Sequence, residues 1–124
     1  MPVKTLKQFV TYNLVGIVNT LFGFSIIFVL MFAGVGATSS NAVGYALGAL
    51  LSYILNKKYT FGGVKHSTLL AVKFFSVLFI AYLLNLFTLQ WLLGMMNPYL
   101  AQIGAGAVYT LSSFLLAKFM VFKV

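Results

Sequence analysis

The chain has 124 residues, 62% of them hydrophobic and 6% charged, with a mean hydropathy of +1.06. A soluble domain carries about 25% charged residues, so most of this surface must face lipid. The charge comes from eight lysines against no Asp or Glu, a formal +8. This excludes catalysis by paired carboxylates and the intramembrane acid on which proton-coupled carriers rely. The absence of Cys removes disulfides and thiolate metal sites, and no cofactor or metal is expected. Nucleic acid is not expected as a partner either, because there is no polar surface on which to lay a basic groove.

Met1 to Gln8 reads as a short basic leader with Lys4 and Lys7. The first helix is expected over about 9–33, long enough for a bilayer that needs about 20 residues. It is too long for a cleaved signal core of roughly 7–15, although Gly34-Val35-Gly36-Ala37 would suit a cleavage site. After an uncharged turn over 34–39, a second helix is expected over 40–56. A polar segment with Gly62-Gly63 and His66 follows. A third helix is expected over 69–93. Asn97 is placed to cap, and Pro98 to open, a fourth helix over 98–117. The fold class is thus an all-α integral membrane protein with four transmembrane helices, and residues 1–124 form a single transmembrane domain.

Four crossings put all eight lysines on one side, while the turns 34–39 and 94–97 carry no charge. The positive-inside rule then places both termini in the cytoplasm and the protein in the cell inner membrane. The chain also repeats itself. Lys7, Phe9 and Asn19 recur 66 residues later as Lys73, Phe75 and Asn85. Asn41, Ser52, Lys57 and Phe61 recur 61 residues later as Gln102, Ser113, Lys118 and Phe122. Each half is a helical hairpin of the same topology, a parallel repeat about an axis along the membrane normal.

Several residues could carry function. Ser40, Gly44, Gly48 and Ser52 stand four apart on one helix face. Such small residues let helix backbones approach closely, either within the chain or as a dimer face, and Ala101 and Ala105 make a shorter ladder. Asn19 and Asn85 lie near mid-membrane and serve either as interhelical hydrogen-bonding groups or as the lining of a polar path. Asn56, Lys57, Lys58 and Lys118 close helices two and four. They are topology anchors or a site for lipid phosphate, which lysine binds as a point charge. No acid in the chain can neutralise these lysines, so anionic lipid is the expected counter-ion. Tyr59, Phe61, Phe119 and Phe122 suit the interface. His66 is the one His and is read as solvated or interfacial rather than as a metal ligand.

These features resemble the GtrA family. The resemblance rests on Phe9…Val15-Gly16…Asn19-Thr20, on Asn41-Ala42…Ser52-Tyr53…Asn56-Lys57-Lys58-Tyr59-Thr60-Phe61 and on the echo Ser113-Phe114…Lys118-Phe119-Met120-Val121-Phe122. One departure is Ala117, where the family pattern has Asn. The resemblance implies a non-enzymatic role in cell-surface polysaccharide synthesis: flipping a polyprenyl-phosphate-linked sugar across the cytoplasmic membrane. A second reading is a non-catalytic subunit that anchors a membrane glycosyltransferase. A small cation exporter fits the size but lacks the necessary carboxylate. Four helices enclose little space, so a homodimer is expected.

Overall fold

The computed structural model describes residues 3–60 and 68–121, apart from the side chains of Lys4 and Thr68. Phe61, the Gly62-Gly63 pair, Lys65, His66, Phe122 and Lys123 therefore lie outside the described residues. Four helices form the protein: α1 (Val3–Phe32), α2 (Ala37–Leu55), α3 (Thr68–Leu93) and α4 (Pro98–Leu116). Three stretches, Thr5–Phe32, Leu69–Leu93 and Pro98–Val121, are long and apolar enough to cross a membrane. With α2, the 19-residue antiparallel partner of α1, they make a four-helix membrane protein.

α1 starts at Val3 rather than near Phe9, because nothing between Thr5 and Gln8 breaks a helix and the expected leader becomes its first turns. Its end is sharp. Gly34 adopts a left-handed φ of 98°, while Val35 N–H donates to Leu30 O at 2.9 Å and Gly34 N–H to Met31 O at 3.0 Å. This pattern closes a helix in two residues. α2 can thus begin at Ala37, three residues before the expected Ser40. At the second turn Asn97 accepts from Tyr99 N–H at 2.8 Å, and Pro98 opens α4.

Inside lipid, helices associate by close packing and polar contacts rather than by hydrophobic burial. Ser40, Gly44, Gly48 and Ser52 are buried along α2. A Cβ on Gly44 would collide with Ile27 and crowd Gly23 O at 3.0 Å, and one on Gly48 would sit 3.9 Å from Asn19 O. The small-residue stripe is therefore spent against α1 within the chain and is not free to be a dimer face. Leu89, Ala101 and Ala105 seal α3 to α4. Hydroxyls on lipid-facing turns satisfy themselves on their own helix, as Ser25 does with Leu21 O at 2.8 Å and Thr88 with Leu84 O at 2.8 Å.

The two hairpins meet in two places. Near the start of α1, Tyr12, Phe74, Val77, Leu78 and Ala117 form an apolar cluster. Further along, Asn41, Asn85 and Gln102 form a fully buried amide cluster. Asn41 Nδ2 donates to Gln102 Oε1 at 2.9 Å, and Asn85 Nδ2 donates to Asn41 Oδ1 at 3.0 Å. Gln102 Nε2 donates to Ala37 O at 2.9 Å. Asn41 and Gln102 are 61 residues apart in the repeat, so their direct bond lies on its pseudo-axis.

α2 and α4 each run on into a five-residue π-helical turn, Asn56–Thr60 and Ala117–Val121. Their starts are also 61 residues apart. The repeat thus extends to a rare widened turn, a feature that recurs at functional sites.

Candidate functional site

A cavity of about 220 Å³ opens between α1, α2 and α4. It exists because α1 and α4 approach each other only locally, while α1 and α2 pack along their length. On α1 the wall is Tyr12, Gly16, Asn19, Gly23 and Ile27, one stripe at helical spacing. Gly44, Tyr45, Gly48 and Ser52 face it from α2, and Tyr109 and Ser113 from α4. No charged side chain lines it. Tyr45 and Tyr109 form one wall, with ring centroids 4.6 Å apart. Tyr12 and Ser113 meet at the opposite end through their hydroxyls, 3.4 Å apart.

Polar groups in a lipid environment need partners, and most here have one. Asn13 donates to Phe9 O at 2.9 Å and Thr20 to Gly16 O at 2.7 Å. Asn19 differs. Its Oδ1 and Nδ2 are both buried, and neither has a hydrogen-bond partner. It therefore presents a donor and an acceptor to the cavity it lines.

Asn85, the repeat equivalent of Asn19, does not share this path. It is 0% exposed, is absent from the cavity wall and is bonded to Asn41. The expected pair of path-lining amides is corrected to one, because Asn41 and Gln102 capture the second.

The expected phosphate-binding group is divided in the same way. Asn56 is 2% exposed. Its Nδ2 donates to Ser52 O at 3.0 Å and Ser52 Oγ at 3.2 Å, and its Oδ1 accepts from Thr60 Oγ1. It braces the π turn and offers no free donor to a headgroup. Lys57 and Lys58 are exposed and Lys118 is half-buried. Lys58 Nζ lies 5.2 Å from the Tyr59 ring centre and Lys118 Nζ 5.6 Å from that of Phe119, within cation–π range. Lys57 and Lys118 follow the cavity residues Ser52 and Ser113 by five positions, about 7 Å of helix rise. Lys7 and Lys73 stand in the opening turns of α1 and α3, so the antiparallel hairpins gather these lysines at one end of the bundle.

Ala117, the departure from the doubled pattern, is fully buried against Tyr12, Phe74, Val77 and Leu78. Its neighbour Ser113 turns to the Tyr12 hydroxyl instead of to an amide.

Sequence reasoning missed Tyr12, Tyr45, Tyr109 and Ser113 as cavity residues. The stripe Tyr12, Gly16, Asn19, Gly23, Ile27 carries the signal that could have found the α1 wall. It also paired Asn41 with Gln102 by offset without seeing that equivalent residues near a pseudo-axis can bond to each other.

Comparison with curated proteins and with solved structures returns no match. The family model described as the GtrA/DPMS transmembrane domain matches residues 11–122, which takes in all four helices, the cavity and both π turns. This multi-pass membrane protein belongs to the GtrA/DPMS transmembrane-domain family.

Proposed function

We propose that the protein moves a polyprenyl-phosphate-linked sugar across the cytoplasmic membrane. The observation that carries this reading is the placement of the cavity. A polar pocket within the bundle lies a little over one helical turn from a cluster of lysines that nothing in the chain neutralises. Lys57, Lys58 and Lys118 hold the phosphate at the cytoplasmic face, as point charges do. The sugar enters the cavity between α1 and α4, and the prenyl chain stays in lipid. The topology that the reading needs, with both termini cytoplasmic, follows from the positive-inside rule. Four helices enclose little, so the translocating unit is a dimer.

The test is reconstitution of the purified protein in liposomes with a fluorescent polyprenyl-phosphate sugar in one leaflet. The reading expects transfer faster than in protein-free vesicles, and transfer at the same rate in both would sink it.

A second reading, a non-catalytic subunit of a membrane glycosyltransferase, is favoured by the joining of GtrA with DPMS in the family description. It expects a stoichiometric transferase to co-purify. It also expects the Lys57→Ala/Lys58→Ala variant to keep that complex while surface glycosylation is unchanged.

A further inference from the structure

We infer that the cavity between α1, α2 and α4 is a recognition site for a single uncharged sugar ring, read by the side chain of Asn19. The inference rests on the translocation reading and specifies which headgroup the site accepts and by which residue.

Three observations lead to it. The first is the unpartnered amide. A buried polar group without a hydrogen bond is costly, and in this chain both ends of the Asn19 side chain are in that condition. The neighbouring Asn13 and Thr20 are satisfied on their own helix, by Phe9 O and Gly16 O. A carboxamide offers a donor and an acceptor side by side. A pair of adjacent sugar hydroxyls offers the complement, one accepting and one donating.

The second is size and shape. At about 220 Å³, the cavity falls below the roughly 300–1,000 Å³ of sites for drug-sized ligands, which suits one ring rather than an oligosaccharide. Tyr45 and Tyr109 give it an aromatic wall for the apolar C–H face of that ring, and Ser52 and Ser113 add hydroxyls toward the lysine end.

The third is charge. No Lys, Arg, His, Asp or Glu lines the cavity. A uronic acid would bury its carboxylate with no cation beside it. An amino sugar would bury an ammonium in a chain that has no Asp or Glu at all. Burying an unpaired charge is far more costly than burying a hydroxyl, so the site rejects both.

The experiment measures binding of three lipids to the purified protein: a short polyprenyl phosphate bearing glucose, the same lipid bearing glucuronate, and the bare polyprenyl phosphate. The glucose lipid is expected to bind about tenfold tighter than the bare lipid, the scale of one or two hydrogen bonds to a buried amide. The glucuronate lipid should bind no tighter than the bare one. Asn19→Leu should erase the tenfold gain and leave bare-lipid binding unchanged.

Gly16→Leu is the second variant. Gly16 lines the cavity, and a Cβ there meets no heavy atom within 4 Å, so a larger side chain fills the space without striking the bundle. It too should remove the gain.

A sugar-dependent gain that survives both variants overturns the inference, as does a glucuronate lipid that binds as tightly as the glucose lipid. Saturation by free glucose at the concentration of the glucose lipid overturns the lipid-borne assignment. If the protein binds none of the three lipids, the translocation reading itself fails. If it binds all three alike, that reading stands and the sugar site falls.

Discussion

Asn19 and Asn85 occupy equivalent positions 66 residues apart, yet Asn85 is bonded to Asn41 at 3.0 Å and Asn19 to nothing. One copy of a repeated residue has become part of the frame, and the other faces a cavity. The same substitution at the two sites should therefore have opposite effects. Asn85→Leu leaves Asn41 without its partner and forces a bulkier group into a fully buried cluster, at a cost of about 1–3 kcal/mol. Asn19→Leu removes an unpaired amide and should leave stability equal or higher. Thermal unfolding of both variants in the same detergent checks this. A lower melting temperature for Asn19→Leu than for Asn85→Leu would contradict it.

Gly44 and Gly16 provide a second contrast. Both are helical glycines, and alanine is intrinsically favoured in helices by about 1 kcal/mol. At Gly44 the added methyl meets Ile27 and Gly23 O, and such overpacking costs about 1–3 kcal/mol. At Gly16 it meets nothing within 4 Å. Gly44→Ala should lower the melting temperature and Gly16→Ala should raise it or leave it unchanged.

The lysines at the ends of α2 and α4 should affect lipid and not fold. Lys57 and Lys58 are exposed and Lys118 is half-buried, so changing all three to Gln should leave the melting temperature nearly unchanged. Binding of a bare polyprenyl phosphate should weaken by about tenfold or more, since each phosphate contact is an ionic hydrogen bond of about 1.5–3 kcal/mol. The wild-type affinity should also fall with added salt, and that slope should flatten in the triple variant.

Restoring the missing amide of the second half should harm the protein. Ala117 is 0% exposed against Tyr12, Phe74, Val77 and Leu78, and Ser113 is already engaged with Tyr12. Ala117→Asn should destabilise by about 1–3 kcal/mol, measured by thermal or denaturant unfolding. In the first half Asn56→Ala removes the bonds to Ser52 and Thr60 and should cost a similar amount.

The architecture was legible because lipid imposes few solutions. Long apolar runs, uncharged turns and lysines all falling on one side leave little besides four antiparallel helices. The start of α2 was misread because Thr38, Ser39 and Ser40 look like a turn. Gly34 ends α1 so abruptly that these residues are already helical. The site was legible only in part. An amide inside a membrane is conspicuous, but whether it is tied up or free depends on what stands opposite. Nothing local in the sequence distinguishes Asn19 from Asn85. Tyr45 and Tyr109 likewise look like any interfacial tyrosine until two helices from different hairpins bring their rings together.

The two π turns bear on how the lysines are aimed. A π turn closes its hydrogen bonds over one residue more than an α turn, so everything beyond it is out of phase with the helix before it by about 100°. Counting along α2 past Leu55, or along α4 past Leu116, therefore assigns Lys57, Lys58 and Lys118 to the wrong sector of the cylinder. Deleting one residue from either turn would keep every charge while swinging it around the helix. In this protein the angular bearing of a lysine can be altered independently of its number.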